Sequence, residues 1–241
     1  MVMRHLILVS MLMAATIVIQ AQSQGAKLNL KVDVFDSDQS SSLDQLIELG
    51  KKLHVSMGIE WSFDANEKVA AAIHMRGVTV GEIIKHILRQ HPGYDFEERW
   101  GTLHIYDRSL LIDKANFLNL RLPGFRVTDA NLFGVTFQLR ASITQMLRPT
   151  PGYGGGYGYG PGRADGLDVL KVSITGRDIS VREVLSQAVV KQDNALWIVI
   201  FHPDEMMAAA PFYGQSYGSA RDSVATYFNW EFLALNDYIV K

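Results

Sequence analysis

Thr79-Val80-Gly81-Glu82-Ile83-Ile84 and Ser180-Val181-Arg182-Glu183-Val184-Leu185 are two versions of one stretch. In each, a hydroxyl residue is followed three positions later by glutamate. That is the spacing of a capping box, in which the hydroxyl accepts a backbone N–H and the carboxylate reaches back to the N-cap N–H. Val80, Ile83, Ile84, Ile87 and Leu88 then fall on one helical face, and Val181, Val184, Leu185, Ala188 and Val189 repeat those offsets. Ahead of each copy, Ala71, Ile73 and Met75, and Leu170, Val172 and Ile174, alternate as in a half-buried strand. A strand, a capped helix and matching apolar offsets recurring together read as an internal repeat. Glu82 and Glu183 could instead be a general acid–base pair, but capping geometry consumes both carboxylates, so they are assigned to helix starts.

Residues 1–23 have the form of a secretory signal peptide. Arg4 supplies the positive charge, Leu6 to Ile19 form a short apolar run, and small residues at Ala21 and Ser23 offer cleavage points. The run falls short of the ~20 residues of a membrane span, and no other stretch is apolar enough to cross a bilayer. The 241-residue chain has no cysteine, which excludes disulfides, thiolate catalysis, cysteine-ligated metals and a lipidated signal cysteine. A formal net charge of −2 without a basic stripe argues against nucleic-acid binding. The expected location is periplasmic or secreted.

Leu28 to Val34 alternates as a strand. After a polar turn, Ser42 with Gln45 has capping-box spacing, and Leu43, Leu46, Ile47, Gly50 and Leu53 continue as a helix. A loop containing Gly58, Asp64 and Asn66 is expected next, followed by the strand ending near Met75 and the helix after Thr79. His91-Pro92-Gly93 stops that helix, and Tyr94 to Tyr106 reads as a hairpin turning near Arg99 to Gly101. The second half offers an extended Phe125 to Thr128, a helix on Leu132, Val135, Leu139, Ile143 and Met146, a strand Leu170 to Thr175, the helix from Ser180, and a buried-type strand Leu196 to Phe201. No closing hairpin is evident in this half.

The pattern from Ser42 to Asp107 resembles the secretin and TonB short N-terminal (STN) domain. The helix Ser42 to Leu53, the stretch from Val78 to Ile84, the Pro92-Gly93 break and the closing hairpin carry the likeness, and Ser173 to Ile200 is a more divergent version. The resemblance implies an α+β fold of two small βαβ-type modules, each with two helices packed on a small sheet. Residues 27–113 form the first module; residues 120–205 form the second, with a Gly/Tyr-rich insertion at 148–166, and 206–241 form a C-terminal tail. It also implies a non-enzymatic envelope protein that binds other proteins, as members do at the periplasmic entrance of secretins and ahead of TonB-dependent receptors. No secretin pore or outer-membrane barrel follows, so the family's partner does not carry over.

The stretches that could hold chemistry are weak in motif terms. The Gly-rich run from Arg148 to Gly162 lacks the endings of a phosphate cradle. Its tyrosines Tyr153, Tyr157 and Tyr159 are instead candidate adhesive contacts, as is Trp230 in the aromatic tail, where Phe228, Trp230 and Phe232 alternate like a strand. His74 and His104 sit in strands and are expected to be solvated on one sheet face; a hydrolase would need them to converge with an acid. Asp36 and Asp38 read as solvated turn acids, and His86 and His91 are poorly spaced for a site. No catalytic, cofactor-binding or metal-ligating residue is assigned. An envelope partner is expected, with strand addition at an open sheet edge as one mode, against the rival readings of a carboxylate/histidine hydrolase and a self-associating surface protein.

Overall fold

A computed structural model describes residues 26–62, 69–113, 116–147, 171–192, 195–202 and 227–234. The signal-like segment, the Gly/Tyr-rich insertion and the rest of the tail lie outside these residues. The chain runs β1 (Lys31–Ser37), α1 (Ser42–Leu53), β2 (Met57–Ser62), β3 (Ile73–Thr79), α2 (Val80–Ile87), β4 (Tyr94–Arg99), β5 (Thr102–Asp107), α3 (Arg108–Ile112), β6 (Arg121–Leu122), β7 (Phe125–Ala130), α4 (Leu132–Leu147), β8 (Val172–Gly176), β9 (Ile179–Ser180), α5 (Val181–Gln192), β10 (Ala195–His202) and β11 (Tyr227–Ala234). The fold is α+β, with small sheets and a few helices.

The principal sheet has the order β11-β10-β2-β5-β4. Its centre is β2, which pairs in parallel with β10 on one side and β5 on the other. The expected loop at Gly58 is therefore a strand. Gly58 reads as a breaker and Glu60 interrupts the apolar run, yet both are buried inside this strand for reasons given below. β10 is followed by β11, antiparallel to it over all eight residues, so the second half also closes on an antiparallel strand pair.

The two faces of this sheet serve different cores. Met57, Ile59, Trp61, Leu103, Ile105, Leu196 and Ile198 pack with α1, α2 and the β1/β3 ribbon through Leu46, Leu49, Ile83, Ile84 and Phe35. Trp197, Val199 and Phe201 point the other way and join a second cluster with α4, α5 and the β7/β8 ribbon through Leu139, Leu185, Val189, Phe125 and Ile174. The continuous apolar run Leu196 to Phe201 follows from this, because a strand covered on both faces has no polar side to present. The sheet is thus shared by residues from both halves of the sequence.

The helix starts match the sequence in part. Thr79 caps α2 with a complete capping box: its hydroxyl accepts the Glu82 N–H at 3.2 Å, and the Glu82 carboxylate accepts the Thr79 N–H at 2.7 Å. At α5 the Ser180 hydroxyl accepts the Glu183 N–H at 3.1 Å, but the Glu183 carboxylate accepts a bond from Gln187. α1 begins one residue earlier than expected, with Ser41 capping the Asp44 N–H at 3.0 Å. Ser42 and Gln45 are buried instead, and the Gln45 amide donates to the Gln39 and Ala71 carbonyls. The pair Ser41/Asp44 has the same three-residue spacing as Ser42/Gln45, and the buried face of the helix selects between them.

The β4–β5 hairpin turns through Trp100 and Gly101, both with positive φ, as a two-residue turn matched to strand twist requires. Gly58 answers a different demand. It stands beside Trp197 in the β2–β10 register, and a Cβ there would lie 2.3 Å from the indole ring. Gly58→Ala is therefore expected to lower stability by about 1–3 kcal/mol through overpacking, and Thr79→Ala by about 1 kcal/mol through loss of the cap; urea unfolding of each variant against the parent checks both.

Candidate functional site

The most concentrated polar chemistry among the described residues lies under α5, on the face of β2 and β5 turned towards the second core. Glu60 of β2, His104 of β5 and Arg182 of α5 meet there, all buried. The His104 Nε2 sits 2.6 Å from the Glu60 Oε1. Arg182 forks onto the same carboxylate, its Nε to Oε1 and its Nη2 to Oε2, the latter at 2.9 Å. The remaining guanidinium arm donates to the Asn119 Oδ1 at 2.7 Å.

Local sequence explains each position. Glu60 and His104 lie on neighbouring parallel strands where Gly58 stands opposite His104, so the two side chains reach each other diagonally. Arg182 occupies the first turn of α5, which the Ser180 cap starts at the edge of this face. One turn on, Ser186 accepts hydrogen bonds from the Thr102 hydroxyl and the Trp197 indole N–H, each at 3.3 Å. The His104 ring is walled by Tyr106 at 5.0 Å and Trp197 at 5.7 Å, and its Nδ1 has no hydrogen-bond partner.

Burial raises the Glu60 carboxyl, but the hydrogen bonds from Arg182 and His104 outweigh it and hold the group below the usual carboxylate range. Both carboxylate oxygens are occupied and the side chain is fully enclosed. A carboxylate so placed neutralises a buried guanidinium and joins segments distant in sequence; it does not have a free lone pair turned to solvent for acid–base work.

His104 is therefore buried, against the expectation of a solvated strand histidine, because α5 covers the face it points to. His74 lies in β3, in a different sheet, where it is exposed and pairs with Asp36. The two histidines do not share a sheet face, and each has its own acid. His91 Nε2 is 2.9 Å from the Ser42 hydroxyl and stacks edge-on against Trp61 at 4.9 Å. No group of three or more histidine, cysteine, aspartate or glutamate residues that could hold a metal occurs among the described residues. Tyr153, Tyr157 and Tyr159 lie outside the described residues. Trp230 falls in β11, paired through its backbone with Val199.

Sequence reading missed Glu60 and Arg182 altogether. A signal existed at Arg182, which stands where the first copy of the repeat has Gly81, a long cation next to an apolar stripe. No family model matches the chain, and none of the curated proteins or solved structures compared with it does. Among the described residues no helix is long and apolar enough to cross a membrane.

Arg182→Met should strand a buried carboxylate and cost about 3–5 kcal/mol, whereas Glu60→Leu with Arg182→Met should recover most of that loss; urea midpoints of the single and double variants measure it. Because the native Glu60 pKa is depressed, its contribution is present above the ordinary glutamate value of 4.5 and is lost as pH falls through the lower native value. The stability of Glu60→Leu/Arg182→Met should accordingly fall less between pH 5 and 3 than that of the parent, pH points chosen about the usual carboxylate range.

Proposed function

We propose that the chain is an exported, non-enzymatic protein-interaction module of the cell envelope, secretin/TonB-system-like, built from two STN-like modules that take a partner at an open sheet edge. The observation that carries the reading is the allocation of surfaces in the principal sheet. Both faces are taken up by the chain's own cores, and the ionic cluster at its centre is enclosed and internally paired. Edges remain. A sheet edge offers a row of backbone donors and acceptors to an incoming strand, the recognition mode known as strand addition.

The strand–capped helix–hairpin pattern from Ser42 to Asp107 supports the family likeness, since α1, α2 and the β4–β5 hairpin occupy the positions that the resemblance implies. The apolar run from Leu6 to Ile19 with Ala21 and Ser23 supports export, and the location follows as periplasmic or secreted.

Expression in a Gram-negative host followed by fractionation and N-terminal sequencing should give a mature chain starting after Ala21 or Ser23; full-length chain left in the cytosol would end the export half of this reading. A photo-cross-linking amino acid at Asn229 in β11 should capture a discrete envelope protein under native conditions. Failure to capture any protein there or at Asp95 in β4 would remove the interaction half.

A further inference from the structure

The two edges of the principal sheet are finished differently. On β4, the N–H of Tyr94 donates to the His91 carbonyl and the N–H of Phe96 to the Asp95 carboxylate, both at 2.9 Å. These are alternate residues of one strand, so they belong to the outward row of an antiparallel pair, and the chain itself occupies that row. β4 also carries Asp95, Glu97, Glu98 and Arg99, charges of the kind that discourage a further strand. β11, Tyr-Phe-Asn-Trp-Glu-Phe-Leu-Ala, has neither proline, glycine nor lysine and holds a single charge, Glu231. Among the described residues it pairs on one side only, with β10.

We infer that the β11 edge pairs antiparallel with β11 of a second copy of this chain, making one ten-stranded sheet across a two-fold axis. The inference rests on the edge-directed reading above and names the strand that the edge takes. An isologous contact needs only one surface, used by both copies. With the axis between Trp230 and Glu231, all eight residues of each strand find a partner and Glu231 stands across from Trp230 of the other copy. A parallel in-register pairing would set Glu231 against Glu231, a like-charge contact that is destabilising. The finished β4 edge supplies the stopping rule. A sheet open at both ends would extend into a filament, whereas one open edge closes after two copies.

Because the chain contains no cysteine, cross-links can be placed at will. Full-length, signal-processed protein should sediment as a dimer. A mixture of Trp230→Cys and Glu231→Cys chains should form a disulfide-linked dimer on mild oxidation, and a mixture of Asp95→Cys and Glu97→Cys chains should not. Deleting Tyr153 to Gly160 should leave the dimer intact. A monomer throughout the concentration range, or a dimer lost on that deletion, overturns the inference. A monomer that still photo-cross-links an envelope protein at β11 sinks the self-pairing and leaves the functional reading standing; a β11-linked dimer without an envelope partner supports the self-pairing and sinks that reading.

Discussion

The Glu60 carboxylate sits in a place where an unpaired charge would be prohibitively costly, and the arrangement around it follows from supplying its partners. Arg182 must reach it from above, which fixes where α5 crosses β2 and β5. With α5 there, Ser186 falls between Thr102 and the Trp197 indole. Trp197 then lies flat over β2, and only a residue without a side chain fits beneath it at position 58. A charge pair, a serine, a tryptophan and a glycine from four elements are thus one constraint. Buried ion pairs add little net stability compared with a well-packed apolar substitute, but they tolerate few alternative geometries, and here the specified geometry is the docking of the second half of the sequence onto the first.

The two copies of the repeated stretch show how one local pattern is put to two uses. In both, the hydroxyl caps the helix. In the first, Glu82 completes the box and Gly81 lies close against the Leu28 carbonyl, where there is little room for a side chain. In the second, Glu183 turns along its own helix to Gln187, and the position of Gly81 is taken by Arg182, which leaves the local pattern and bonds a strand far away in sequence. The cap is a local matter and recurs; the residue inside it is where the copies part.

What could be read from the sequence divides along the same line. Helix spacing, the β4–β5 hairpin and the Thr79 cap depend on neighbours within a few residues, and they emerged from pattern alone. β2 did not, because its glycine and glutamate make sense only with Trp197 and Arg182, more than a hundred positions away on the numbering. The shift of the α1 cap from Ser42 to Ser41 had the same origin: two hydroxyls had equivalent spacing, and burial of Ser42 and Gln45 decided between them. His104 looked like an exposed strand residue because alternation tells which face a residue is on, not whether a helix from elsewhere covers that face. The strand character of Phe228 to Phe232 was visible in its alternation, while its pairing with β10 was not.

The parallel pairing of β2 with β10 also has a consequence for how the chain acquires its structure. β2 occupies the middle of the sheet, yet its neighbour on one side belongs to the last third of the sequence. During synthesis the N-terminal elements emerge first, and until β10 arrives β2 has one unpaired edge and a buried-type carboxylate without its arginine. Contacts so distant along the chain form late and slowly. The same strand that unites the finished molecule is therefore its most vulnerable part while it is being made, an exposed apolar edge open to any chaperone, or any misdirected strand, that meets it before residue 195 does.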